Sequence, residues 1–257
     1  MLNKSTNSSF IVHPSSFKIM RRFYASVGQF QTETVTLNLE ETRHLRDVLR
    51  LKENDKVQVF DGAGREFSCE IQNIGKKETQ LKIVEQISPN APESSLDLTL
   101  AVALLKGEKF DLVVQKAVEL GVIKLVPLNT KRADVKLKDA EKKVERWRKI
   151  ALEACKQSGR AALMRIEMPS DFAKFIETAD GVKILFAERD GTSFSAIEKT
   201  EKLTAIVGAE GGWETSEIEA ARRKGFQIIT LGGRILRAET AAIVAAAVLQ
   251  NRFGDLN

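Results

Sequence analysis

The 257-residue sequence predicts an α/β protein in two parts, a small β-rich region and a larger region of alternating strands and helices. Three observations carry this. Residues 20–87 hold four β-patterned segments and one helical segment. Residues 88–95 read Ser-Pro-Asn-Ala-Pro-Glu-Ser-Ser, a break in the apolar pattern with linker composition. From residue 96 onward, apolar runs of strand length alternate with segments of helical period, which is the pattern of a helix-covered sheet.

Residues 1–19 are rich in Ser and Asn and lack acids, and a disordered extension is expected there. They contain no arginine and no long apolar stretch, which argues against a targeting peptide. Residues 35–39, 56–61, 66–74 and 79–87 alternate or run apolar with β-branched side chains and are expected to be strands. Asp61-Gly62-Ala63-Gly64 suits a hairpin turn. Leu45, Val48 and Leu49 recur at helical spacing and predict a helix over about 40–50. After the linker, 96–105 is an apolar strand, and 109–120 is an amphipathic helix stopped by Gly121. A strand at 122–128 follows, then a long helix at 139–158 with Trp147, Ile150, Ala151, Ala154 and Cys155 inward and Gly159 as its stop. Strands are expected at 182–187, 203–207 and 227–231. A helix at 215–224 lies between the last two, with Thr215 as N-cap and Gly225 as stop. The final helix, 237–253, carries an alanine-rich run whose small side chains allow close backbone approach.

Composition narrows the function. At 43% hydrophobic the chain can bury a proper core, and no apolar run approaches bilayer length. Cys69 and Cys155 are far apart, so a disulfide framework is not expected; a reducing, cytoplasmic setting fits. His13 and His44 without a cysteine cluster leave no zinc site, and no metal is expected. Residues 131–160 hold eleven Lys/Arg against five Asp/Glu, so this segment is +6 in a chain of +5 and the remainder sums to −1. A basic face this focused points to a polyanion partner. The bland alternative is a solvated helix face.

The chemistry-bearing stretches are Ile206-Val207-Gly208-Ala209-Glu210-Gly211-Gly212-Trp213 and Ile229-Thr230-Leu231-Gly232-Gly233-Arg234-Ile235-Leu236-Arg237-Ala238-Glu239-Thr240-Ala241. Each reads as a strand ending in a glycine turn that opens a helix. Such turns bring backbone N–H and C=O groups around a small ligand, and they lie where α/β sheets bind ligands. The chain has no G-x-G-x-x-G and no G-x-x-x-x-G-K-[ST], which argues against a dinucleotide site and a P-loop.

These stretches resemble the small-subunit (16S) ribosomal RNA uracil-N3 methyltransferases of the trefoil-knotted SPOUT superfamily. The family pattern, close to G-P-E-G-G-[FW] and S-L-G-x-R-I-L-R-x-E-T-A, is met except at Ala209, where proline is usual, and Thr230, where serine is common. Lys106-Gly107, Gln115-Lys116 with Glu119-Leu120-Gly121, Arg146-Trp147, Glu153-Ala154 and Gln157-Ser158-x-Arg160 resemble further family blocks. Arg21-Arg22-Phe23 and His44-x-x-x-Val48-Leu49-Arg50 resemble its N-terminal region, so the likeness covers about residues 20–253.

The resemblance implies a SPOUT-type α/β trefoil knot over 96–257, a PUA- or OB-like β-barrel over 20–87 joined by linker 88–95, and a homodimer. It also implies S-adenosylmethionine as methyl donor and 16S rRNA in the small ribosomal subunit as partner, with no membrane. The donor slot would be made by Leu185, Phe186 and Glu188, by Gly208, Ala209, Glu210, Gly211 and Gly212, and by Leu231, Gly232, Ile235, Leu236 and Arg237. Leu185 and Phe186 have a rival reading as plain core. Arg237 and Arg234 are the candidates for orienting uracil and stabilising the charge that develops as N3 loses its proton. Glu210 or Glu239 would accept that proton if burial raised its pKa; the rival role is helix capping. Arg21, Arg22, Arg46, Arg50, Arg65, Lys131, Arg132 and Arg160 are candidate RNA contacts. Two other readings remain: a knotted methyltransferase with another target (tRNA or a ribose 2′-hydroxyl), and a non-catalytic ribosome-assembly factor.

Overall fold

A computed structural model describes residues 21–135, 139–194 and 197–256. The expected extension at 1–19 lies outside the described residues. The first region comprises β1 (Arg22–Tyr24), β2 (Thr34–Leu37), α1 (Leu39–Arg43), β3 (Lys56–Phe60), β4 (Glu66–Ile74) and β5 (Thr79–Ile87). Its sheet has the order β1-β3-β4-β5-β2. All pairs are antiparallel except β1 with β3. Phe23 on one edge strand and Val35 and Leu37 on the other share one buried cluster with Val59, Cys69, Ile71 and Leu81. A flat sheet cannot bring its two edges to one core, so the sheet curls into a small barrel.

The helix expected over about 40–50 is α-helical only to Arg43, where it loosens into a π-helical turn, His44–Val48. Asn38 caps it, its side chain accepting from the Glu41 N–H at 3.0 Å. Leu45 is fully buried, while Arg50 closes the segment at φ 53° and is exposed.

The second region is β6 (Asp97–Ala103), α2 (Lys109–Glu119), β7 (Lys124–Asn129), α3 (Ala140–Ser158), β8 (Arg165–Ile166), β9 (Ser170–Asp171), α4 (Phe172–Thr178), β10 (Val182–Phe186), β11 (Lys202–Val207), α5 (Thr215–Arg223), β12 (Gln227–Ile229) and α6 (Ala238–Phe253). The sequence pattern missed β1, β8, β9 and α4, which are too short to display a period. It also misplaced one cap. Glu214 rather than Thr215 caps α5, in a reciprocal box with Glu217, whose Oε2 accepts from the Glu214 N–H at 3.0 Å.

The second sheet is parallel, in the order β12-β10-β11-β6-β7-β8, with β9 also on β7. Strand β11 follows β10 in sequence yet lies between β10 and β6. From edge strand β12 the chain returns as α6 to pack on α2, β11 and β6. The segment after β10 lies across that return. The Gly191 N–H donates to Thr230 Oγ1 at 3.0 Å, and Arg252 donates to the Ile197 carbonyl at 2.7 Å. This threading is the trefoil-knot arrangement of SPOUT folds. Fully buried Ala242, Ala245 and Ala246 are the side chains that let α6 lie close against its neighbours. On the other helix pair, the Phe110 and Trp147 rings lock α2 to α3 at 4.4 Å.

The two regions are pinned together by side chains expected to face RNA. Arg22 is 3% exposed. Its guanidinium donates to Glu66 at 2.7 Å and to the carbonyls of Cys155 at 2.9 Å and Arg160 at 2.6 Å, over the Phe60 ring. Arg22 thus ties the barrel to the C-terminus of α3. Arg160 is also buried, donating to Glu93 at 2.6 Å and to the Val118 and Val122 carbonyls. Neither is available to a phosphate, so both assignments are corrected. Glu93 and Ser94, the latter bonded to Gln250 at 2.7 Å, fasten the linker to the second region. Among the described residues, no helix is long and apolar enough to cross a membrane.

Candidate functional site

Parallel β10, β11 and β12 all end at one edge of the sheet, and their C-terminal connections build a cavity of about 270 Å³. Phe186, Ala187 and Glu188 come from the end of β10, and Val207, Gly208, Ala209, Glu210, Gly212 and Trp213 from the end of β11. Leu231, Arg234, Ile235, Leu236, Arg237, Ala238 and Ala241 follow β12 and open α6. The walls are apolar side chains and backbone, with charge at the rim.

Local physics explains the glycines. The 208–212 turn closes through the Gly212 N–H to the Ala209 carbonyl at 2.9 Å, with Gly212 at φ +68°. That backbone conformation disfavours any side chain. A Cβ on Gly212 would also stand 2.6 Å from Glu188 Oε1. At Gly208 a Cβ would come within 3.0 Å of the Trp213 indole. That indole is fixed in place, its N–H donating to the Phe186 carbonyl at 2.9 Å. Trp213 therefore ties the ends of β10 and β11 together across a bare glycine. Ala209 keeps this turn without the proline.

Most of the predicted slot residues meet here, but not all. Leu185 is fully buried in a separate cluster with Ala101, Ile206 and Ile228, and it does not line the cavity, because alternate residues of β10 face opposite sides of the sheet. Phe186, its neighbour, does line it. Gly211 faces away, its carbonyl accepting from Arg132 at 3.1 Å. Gly232, at φ +66°, shapes the turn without lining the cavity. Ala187, Val207, Trp213, Ala238 and Ala241 were not foreseen. Ala187, Val207, Trp213 and Ala238 adjoin predicted residues, and Ala241 lies one helical turn after Arg237, so strand register and the face of α6 were the signals that could have found them.

The charged groups divide sharply. Arg234 and Arg237 are exposed at the rim, and among the described residues neither guanidinium has a hydrogen-bond or ion-pair partner. Arg237 also occupies the N-cap position of α6. Glu210 is paired with Lys109 of α2 at 2.8 Å. Burial pushes the Glu210 carboxyl up, but the Lys109 hydrogen bond, backbone N–H donors and the Lys109 charge outweigh it and hold the group below its ordinary range. That is the opposite of what a general base needs. Glu239 is buried, with Oε2 3.9 Å from Lys109 and no hydrogen bond to that oxygen among the described residues. Lys109 was missed as a site residue, although it sits in the Lys106-Gly107 block that already stood out.

The remaining candidate RNA contacts are at the surface. Arg21 lies 3.6 Å from Asp55, Arg46 pairs with Asp47 at 2.7 Å, and Arg65 with Asp61 at 2.6 Å, each with a substantially exposed side chain. Lys131 Nζ donates to Ser216 at 2.8 Å. Arg132 donates to Glu214 at 2.8 Å and so braces the glycine turn as well. Among the described residues, no cluster of His, Cys, Asp and Glu is placed to hold a metal ion.

Residues 92–250 match the model of an RNA methyltransferase domain, and residues 37–84 match that of an RNA methyltransferase PUA domain. The ribosomal RNA small subunit methyltransferase E of Synechocystis sp. is 36% identical over 241 residues, covering 91% of this chain and 78% of that protein. The Bacillus subtilis protein of the same name is 32% identical, covering 90% and 96%. Among solved structures, ribosomal RNA small subunit methyltransferase E of Neisseria gonorrhoeae, bound to S-adenosyl methionine, aligns with a TM-score of 0.86 at 31% identity, covering 93% and 100% of the two chains. A Legionella pneumophila methyltransferase in complex with the same cofactor aligns with a TM-score of 0.85 at 32% identity, covering 92% and 99%. With its two matched domains, its sheet order and its double glycine turn, the chain belongs to the ribosomal RNA small subunit methyltransferase E family.

Proposed function

We propose that this protein transfers a methyl group from S-adenosylmethionine to N3 of a specific uridine in the decoding region near the 3′ end of 16S rRNA, within the small ribosomal subunit. One observation carries the reading: two glycine turns build a mostly apolar cavity, and its rim presents two guanidinium groups without partners among the described residues. The cavity suits the donor. It is near the size of small-ligand pockets, its apolar walls come from three strand ends, and Gly208 and Gly212 let the turn pack close against Trp213 and Glu188, so that backbone forms part of the cavity wall. When bound, the donor supplies a sulfonium methyl for transfer to nitrogen.

The chain's residues do the rest. Uracil N3 becomes nucleophilic as its proton leaves, and negative charge spreads to the flanking carbonyl oxygens. Arg237, held at the start of a packed helix, is placed to orient the base and stabilise that charge. Arginine is too weak an acid to be the base. With Glu210 held ionised by Lys109, proton acceptance falls to Glu239 or to solvent. N3 lies on the pairing edge, so the target uridine must be unpaired or extruded. Arg21, Arg46, Arg50 and Arg65 on the barrel, with Lys131, contribute phosphate contacts that position without reading sequence.

The domain limits we propose are 20–87 for RNA binding and 96–257 for methyl transfer. The segment at 88–95 goes with the latter through Glu93 and Ser94. A homodimer on the α6 side is supported by partly buried Ile243, Val244 and Val248, and by Leu112 of α2, which is 41% exposed. A cytoplasmic setting is supported by the two free, buried cysteines.

The test is transfer of labelled methyl to small subunits lacking the modification, followed by primer extension. A single new stop at one uridine, abolished in Arg237→Ala, is expected. Labelling without a stop would move the methyl off the pairing edge and favour a ribose target. RNA binding without labelling would leave an assembly factor.

A further inference from the structure

Lys109 enters the proposed chemistry only through its hold on Glu210, yet it reaches further than that one carboxylate. It sits in the first turn of α2, outside both glycine stretches. Its ammonium donates to Glu210 Oε1 at 2.8 Å and stands 3.9 Å from Glu239 Oε2. Glu210 belongs to the 208–212 turn and Glu239 to the first turn of α6, so the two carboxylates come from two different segments that contribute to the cavity lining. One cation spans both. Glu239 Oε2 is shielded from solvent and makes no hydrogen bond among the described residues, so Lys109 is the charge that balances it. The neighbouring ammonium of Lys106 is already committed to Asp134 at 2.6 Å. Removing Lys109 leaves two like charges facing one another in a partly dry site, where their repulsion is stronger than in water.

A plain neutralising role would make Lys109 indifferent to ligand. Its position argues otherwise. The turn it holds contributes Glu210 and Gly212 to the cavity, and the helix start it holds contributes Arg237, Ala238 and Ala241. We propose that Lys109 is a positioning residue: by clasping Glu210 to Glu239 it closes the 208–212 turn onto the start of α6 and sets the donor cavity. The inference rests on the cavity being the donor site.

The experiment uses the full chain and measures S-adenosylmethionine affinity by calorimetry without RNA, with melting temperature recorded for every variant. Lys109→Met keeps length and removes charge. It is expected to weaken donor binding about ten-fold, equivalent to about 1.4 kcal/mol, while the KM for ribosomal subunits stays unchanged. Lys109→Arg retains most of the affinity. Lys109→Met combined with Glu239→Gln recovers it, because removing one carboxylate removes the repulsion. Wild-type donor affinity in Lys109→Met, or a loss that Glu239→Gln does not restore, overturns the proposal. Should Lys109→Met not fold, Glu210→Gln opens the clasp from its exposed end, and undiminished donor affinity there overturns it equally. A wild-type chain that binds no donor defeats the functional reading instead.

Discussion

Replacing Arg22 by methionine removes a guanidinium that is buried between the barrel and α3. In the wild-type chain this group donates twice to Glu66, at 2.7 and 3.2 Å, and to the carbonyls of Cys155, Gly159 and Arg160 at 2.9, 3.3 and 2.6 Å. Glu66 is 0% exposed, so the substitution strands a carboxylate with no water to solvate it. Breaking a buried pair from one side costs about 3–5 kcal/mol. The orphaned carbonyls at the end of α3 push toward the upper figure. For a chain of this size that corresponds to a fall in melting temperature of about 6–20 °C. Calorimetry at neutral pH measures it, following each transition separately because two packed regions need not unfold together. Arg22→Met with Glu66→Leu removes both charges and should recover much of the loss. The competing expectation is that Arg22 touches phosphate. In that case the melting temperature would hold, and the salt dependence of RNA binding would lose about one unit of slope. A stable Arg22→Met protein with that altered slope would refute the burial argument.

Gly212→Ala places a side chain at φ +68° and 2.6 Å from Glu188 Oε1. It is expected to cost about 1–2 kcal/mol from the backbone alone, read as a lower melting temperature. Because Glu188 is exposed and can swing away, the larger effect should be a shifted turn, seen calorimetrically as weaker donor binding. Glu210 carries a pH signature. Its folded pKa is depressed, so the stabilisation from its Lys109 contact is present above the unfolded carboxyl value, about 4.3, and is lost as pH falls through the folded value. Melting temperatures of wild type and Glu210→Gln should therefore differ by a constant amount from pH 6 to 8 and converge in acid. In steady-state methylation, Arg237→Ala should lower kcat by about 10²–10³ with melting temperature unchanged. Arg234→Ala should act mainly on the KM for ribosomal subunits.

The elements legible in the sequence are those whose signal is local. Strands β4 and β5 end at the residues that alternation and flanking turn signals predict, and the stops at Gly121, Gly159 and Gly225 all have positive φ. What escaped was either too short to carry a period, as in β8 and α4, or decided by a distant partner. The linker is the clearest case. Its Pro- and Ser-rich composition reads as a free connection, yet Glu93 is held by an arginine 67 residues away. Composition registers the absence of a core-forming pattern; it does not register a salt bridge.

The same distinction governs the arginines. Arg22, Arg132, Arg160, Arg234 and Arg237 have the same chemistry, and nothing in their local sequence says which are spoken for. Three of them find acceptors that fix structure: Glu66 for Arg22, Glu93 for Arg160, Glu214 for Arg132. Two find none among the described residues and stand at a cavity mouth. A paired guanidinium must break its bonds before it can meet a substrate oxygen, and that cost falls on the transition state. An unpaired one faces no such cost, provided its backbone is already fixed. Arg237 satisfies that condition, because it caps a helix whose alanine face is buried against α2 and β11. Arg234 sits within an exposed stretch, beside an Ile235 that is 64% exposed. Preorganised charge belongs where charge develops. A guanidinium on a less supported loop is better suited to meeting RNA as it arrives. On that ground Arg237 serves the chemical step and Arg234 the docking of the substrate.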